Sequence, residues 1–61
     1  MTRKEWQRLN ERLAEQAMEH ETNQLWESAG ACWVALADLR EEEDAGPLRT
    51  RASQNWQRAA C

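Results

Sequence analysis

The chain has 61 residues, 31% of them charged, and a net charge of −3. A chain this short amounts to one domain that buries only about 60% of its unfolded surface, so an enclosed catalytic pocket is not expected. With no Ile, Phe or Tyr, and with Val34 and three threonines as the only β-branched residues, strand-forming material is almost absent.

From Thr2, a candidate N-cap, the apolar residues Trp6, Leu9, Leu13 and Ala17 recur at spacings of three and four and predict a helix over about residues 2–21. Arg8, Glu11, Arg12, Glu15 and Glu19 form its solvated face, and His20 sits where a cation complements the helix dipole. Thr22-Asn23 interrupts the pattern, and Asn23 reads as the N-cap of a second helix over about residues 24–43.

On that second helix Leu25, Ala29, Cys32, Leu36 and Leu39 make one stripe, widened on one flank by Trp26, Gly30, Trp33 and Ala37. An apolar arc this broad predicts a central helix packed against two others. Gly30 costs about 1 kcal/mol relative to Ala in a helix interior, and close approach of a partner helix is its expected compensation. The acidic run Glu41 to Asp44 then falls where the dipole disfavours it, so fraying is expected there. Gly46-Pro47 reads as a left-handed stop followed by the first turn of a third helix over about residues 47–60, with Leu48, Ala52, Trp56 and Ala59 or Ala60 inward. The expected architecture is all-α: a small bundle of three helices with helix two between helices one and three. Because so small a core is marginal, a homo-oligomer is a live expectation.

Catalytic and cofactor chemistry have no support in the residues. One histidine and two distant cysteines fall short of the three or four converging ligands a metal needs, and two glycines make no phosphate loop. No catalytic residue, metal or cofactor is expected, and the chain is read as a non-enzyme. Cys32 reads as a small packed hydrophobe, Cys61 as an exposed thiol, and both as free in a reducing compartment. No stretch reaches the roughly 20 apolar residues of a membrane span, and no signal-peptide segment follows Met1. A cytoplasmic protein that does not enter a membrane is the expectation.

Charge is segregated along the chain. Arg3, Lys4, Arg8 and Arg12 outnumber Glu5 and Glu11 near the start, Arg49, Arg51 and Arg58 stand near the end, and acids dominate between them. The acidic total argues against broad nucleic-acid binding, yet Arg49, Arg51 and Arg58 are candidate contacts for it. Four tryptophans exceed what a minimal core needs, and tryptophan is enriched at interface hot spots. Trp26 and Trp33 read first as core, whereas Trp6 and Trp56 on the terminal helices are less bound to that role. Candidate protein-binding residues are therefore Trp6, Trp26, Trp33, Trp56 and Arg58.

The order Ala14, Ala17, Glu19, Trp26, Ala29, Trp33, followed by Asn55-Trp56, Arg58 and Cys61, resembles the small bacterial negative regulators of AraC-type activators and the related PerC-like proteins. The resemblance covers roughly Ala14 to Cys61; the closing block is more compressed than the family spacing, and an extra acidic run precedes it. It implies a regulator that contacts an AraC-type transcriptional regulator through protein–protein contact, often as an oligomer. The PerC-like members imply the alternative of a DNA-binding activator, and a self-assembling structural helical protein is the third reading.

Overall fold

In a computed structural model describing residues 1–60, the chain forms α1 (Arg3–Thr22), α2 (Trp26–Asp38) and α3 (Glu42–Ala60). No strand occurs among the described residues. The expected all-α bundle, with α2 packed against both α1 and α3, is the observed architecture. The three helices run up, down and up: Trp6 lies beside the C-terminal end of α2, and Trp56 beside the N-terminal end.

Thr2 caps α1 as expected, its hydroxyl accepting from the Glu5 amide at 3.2 Å. The exit from α1 departs from expectation. Asn23 is the C-cap of α1 rather than the N-cap of α2. Gln24 takes a left-handed φ of 61°, its amide donates to Glu21 O, and the Leu25 amide reaches back to His20 O at 2.8 Å. This paired closure satisfies two carbonyls at the helix end and usually employs glycine at the left-handed position. Gln24 occupies it at a cost of about 1 kcal/mol. Leu25 then opens α2 with no side-chain cap.

A larger shift concerns the second turn. α2 ends at Asp38 rather than near residue 43, and its last turn tightens through i→i+3 bonds from the Leu39 and Arg40 amides. The acidic residues Glu42, Glu43 and Asp44 form the first turn of α3, where the dipole favours negative charge. The dipole penalty attached to placing them at the end of α2 is thereby removed. Gly46-Pro47, expected to separate two helices, lies inside α3, and Gly46 has no positive φ. Pro47 withdraws the donor that Glu43 O would receive, but Glu43 is exposed and its carbonyl remains open to water.

The core is built mainly from small residues. Ala17, Ala29, Ala37 and Ala52 are completely buried, joined by Trp33 and Leu36, while Leu13, Ala14, Cys32, Val34 and Leu48 are half-buried against them. The buried arc of α2 takes Ala29 and Leu36 from the expected stripe and Gly30, Trp33 and Ala37 from its flank, while Trp26, Cys32 and Leu39 are half-buried. Leu25 is 50% exposed. Small side chains let neighbouring elements approach, and Gly30 makes room for a side chain of α3: a Cβ there would stand 2.6 Å from Trp56 Cδ1 and 2.8 Å from Cε2. The expected compensation for Gly30 is therefore present, and it is an indole of α3 rather than a backbone. The result is a thin body, 40 × 23 × 12 Å.

Candidate protein-binding surface

The four tryptophans occupy three different settings. Trp33 is buried at 4% exposure, and its Nε1 donates to Glu21 Oε2 at 3.0 Å. The same carboxylate accepts from Arg51 Nε at 3.1 Å, Arg51 Nη2 at 2.6 Å and Asn55 Nδ2 at 2.7 Å. The Arg51 guanidinium also lies over the Trp33 ring, 4.4 Å from its centroid. Glu21 thus joins all three helices. The Arg51 hydrogen bonds, followed by those from Asn55 and Trp33, outweigh desolvation and hold its pKa down at about 2. A carboxylate this saturated with donors is a fastener and not a proton-transfer group.

Trp26 and Trp56 both stand at the end of the body formed by the start of α2 and the finish of α3, lining neighbouring clefts that share Glu27 and Ala59. Trp26 is half-buried, with the Arg58 guanidinium 5.0 Å from its ring centroid. Trp56 is 43% exposed, lies across Gly30, and donates from Nε1 to Glu27 O at 3.3 Å. Shallow clefts on either side of Glu27 and Ala59 link the two indoles to exposed Leu25. One edge of this patch is cationic at Arg58 and another is anionic at Glu27.

Trp6 stands at the opposite end. It is 37% exposed, and Arg40 sits 5.8 Å from its ring centroid. Arg40 Nε donates to Asn10 Oδ1 at 2.9 Å, and Asn10 Nδ2 donates to Trp6 O at 2.7 Å. Of the candidate binding residues, then, Trp26, Trp56 and Arg58 stand at one end of the body, Trp33 belongs to the core, and Trp6 stands at the other end.

The candidate nucleic-acid arginines do not form a free basic face. Arg51 is engaged by Glu21, Arg49 pairs with Asp38 at 3.2 Å, and Arg58 covers Trp26. Arg49 also points away from the side of α3 that carries Arg51 and Arg58, which border a groove with Pro47, Thr50 and Gln54. Beneath that groove Asn55 is 3% exposed, and its Oδ1 is buried without a hydrogen-bond partner among the described residues.

Glu21, Asn10, Asn55 and Arg40 had not stood out as organising residues. Asn10 and Asn55 did carry a signal: asparagine is unfavourable inside helices, so its presence in mid-helix points to a side-chain duty. Glu21 carried none, since it looks like any other acid near a helix end. Cys32 is a half-buried free thiol, and Cys61 lies outside the described residues. Among the described residues no three His, Cys, Asp or Glu side chains are grouped to hold a metal, and no helix is long and apolar enough to cross a membrane. Compared with known proteins, the chain matches no family model, no curated protein and no solved structure.

Proposed function

We propose that this chain is a small regulatory module that binds another protein through the Leu25–Trp26–Trp56–Arg58 surface. The observation that carries the reading is Trp56: an indole 43% exposed, seated on a glycine that a methyl group would crowd, with its N–H already turned inward to Glu27 O. Its ring position is fixed while much of its apolar area still meets solvent. Fixed, exposed aromatic area is what an interface anchor requires, because little side-chain entropy remains to be lost on binding. Trp26 beneath Arg58 adds a second indole, and Arg58 supplies a charge that orients a partner.

The partner we propose is a transcriptional regulator of the AraC type, on the sequence resemblance, which runs through Trp26, Ala29, Trp33, Asn55-Trp56 and Arg58. In this reading transcription is modulated by contact with the regulator in the cytoplasm, without catalysis. Direct DNA binding is the weaker reading, because Arg49 and Arg51 are paired with Asp38 and Glu21, which leaves Arg58 as the one candidate arginine without a carboxylate partner among the described residues. The test is titration calorimetry or pull-down of an AraC-type regulator with the wild-type chain and with Trp56→Ala. Binding by the former and at least a tenfold loss in the latter, corresponding to about 1.4 kcal/mol, is expected. Equal binding by both chains would remove the surface from the reading, and no binding by either would remove the partner.

A further inference from the structure

The groove beside Glu21 holds hydrogen-bonding capacity that the fold does not spend. It follows one face of α3, where Pro47, Arg51, Gln54 and Arg58 recur at spacings of three and four, with Thr50 beside them and Glu21 of α1 contributing to the lining. From Pro47 to Arg58 the helix rises about 16 Å, the length of about five residues of extended chain.

Two guanidiniums face one carboxylate in this groove, on a chain whose net charge is −3. The carboxylate is fully engaged, since Glu21 accepts from Trp33, Arg51 and Asn55. Arg51 spends Nε and Nη2 on it and keeps Nη1 without a hydrogen bond among the described residues, its side chain 48% exposed. Gln54 and Arg58 are both exposed, and neither has a hydrogen bond or ion pair among the described residues. The Trp26 ring, 5.0 Å away, restrains the Arg58 guanidinium while its N–H groups still lack an acceptor. Arginine in that state takes a carboxylate through two parallel hydrogen bonds.

One acceptor accompanies these donors. Asn55 is 3% exposed, its Nδ2 donates to Glu21 Oε2 at 2.7 Å and to Arg51 O at 2.9 Å, and its Oδ1 has no partner among the described residues. With both donor bonds in place the amide cannot turn over to relieve Oδ1. That oxygen is covered in the chain alone, so an outside donor reaches it only as the lining side chains part. A phosphate brings acceptors only, whereas an extended peptide brings side-chain carboxylates, carbonyls and backbone N–H donors together.

We infer that this groove receives an extended acidic segment of a partner protein, about five residues long, with a carboxylate of the segment on Arg58. A nucleic-acid strand fits it less well, because one arginine without a carboxylate partner neutralises little of a phosphate backbone. The inference rests on the proposed protein-binding surface in sharing Arg58 with it. It extends that surface from the Trp26 end toward Pro47 and gives the partner a chemistry.

A phage-displayed library of random peptides, selected on the immobilised full chain, supplies the probe, and the selected peptides are synthesised with a fluorescent label and titrated by anisotropy. Selection is expected to enrich aspartate and glutamate, and binding should weaken as salt rises. Arg58→Gln should weaken binding at least about tenfold and Gln54→Ala about threefold, with helicity by circular dichroism unchanged. Arg49→Gln, on the same helix but outside the groove, and Trp56→Ala should each leave the affinity within about twofold. Peptides without acidic enrichment, no selected peptide at all, or equal binding by wild type and Arg58→Gln would overturn the inference and leave the regulator test at Trp56 standing. Loss of the peptide with Trp56→Ala but not with Gln54→Ala would place the segment on the indoles and overturn the groove. A short single-stranded DNA that binds more tightly than any selected peptide, and is lost in Arg58→Gln, would assign the groove to nucleic acid instead.

Discussion

Two clusters in this molecule use the same three residue types and reach different degrees of integration. At the Glu21 cluster Trp33, Asn55 and Arg51 converge from α2 and α3 on one carboxylate of α1. At the Trp6 cluster Asn10 links the Trp6 carbonyl to Arg40, and Arg40 reaches over the Trp6 ring. Both place a guanidinium near an indole and bury an asparagine. Only the first contains a carboxylate, and that carboxylate is what lets buried donors from two helices share a single acceptor. The second ties α1 to the residues following α2 and leaves its tryptophan toward solvent. One arrangement closes the fold and the other leaves a surface.

Removing the carboxylate is the most damaging way to break this contrast. Glu21→Ala strands the buried N–H of Trp33 and one N–H of the Asn55 amide, the other still donating to Arg51 O, and at about 1–3 kcal/mol for each stranded donor we expect a total loss of about 3 kcal/mol by chemical denaturation. For 61 residues total stability is only about 3–9 kcal/mol, so the variant should be close to unfolding at room temperature. A loss under about 0.5 kcal/mol would mean that water replaces the carboxylate without penalty and that the cluster is not a fastener.

Acid tests the same carboxylate without a substitution. The pKa of Glu21 in the folded chain is about 2, below its ordinary value of 4.5, so the folded state favours the ionised form. The associated stability is complete above pH 4.5 and is lost as pH falls toward 2. Arg51 is 48% exposed and solvent screens the pair, so we expect this component to be on the order of 2 kcal/mol, less than the full shift implies. Denaturation midpoints measured across this window should fall for the wild-type chain and fall less for Glu21→Gln. Equal acid sensitivity in both would assign the effect to other carboxylates.

The contrast between the clusters also explains what could be read from the sequence. Helical class, the count of helices, the central place of α2 and the close packing at Gly30 followed from periodicity and from the energetic cost of a mid-helix glycine. The boundaries did not, because Asn23 and Gly46-Pro47 each have two local meanings. Asn serves as an N-cap or as a helix C-cap, and Pro is tolerated inside α3 where the carbonyl it orphans faces water. Placing the acidic run at the end of α2 conflicted with the dipole, and that conflict was a readable warning that the turn lay earlier. The candidate surface was legible as tryptophans but not as a grouping. Which indoles are buried depends on helix rotation, and the buried arc of α2 takes Trp33 inward while Trp26, the first residue of that helix, stays half-buried.

The smallest effect falls at the other cluster and sharpens the comparison most. Asn10→Ala removes the hydrogen bonds to Trp6 O and from Arg40 Nε, but Arg40 is exposed and its guanidinium regains water. Alanine also has the higher helix propensity, which offsets about half a kilocalorie of the loss. We expect a net cost below about 1 kcal/mol in denaturation experiments, with the dependence on pH between 4.5 and 2 unchanged from wild type. If Asn10→Ala instead costs as much as Glu21→Ala, the Trp6 end is as integral to folding as the Glu21 cluster, and the division between a closing cluster and a surface one fails. A small cost leaves α1 anchored through Glu21, near its C-terminal end. The Trp6 end is then able to change its contacts without the bundle coming apart.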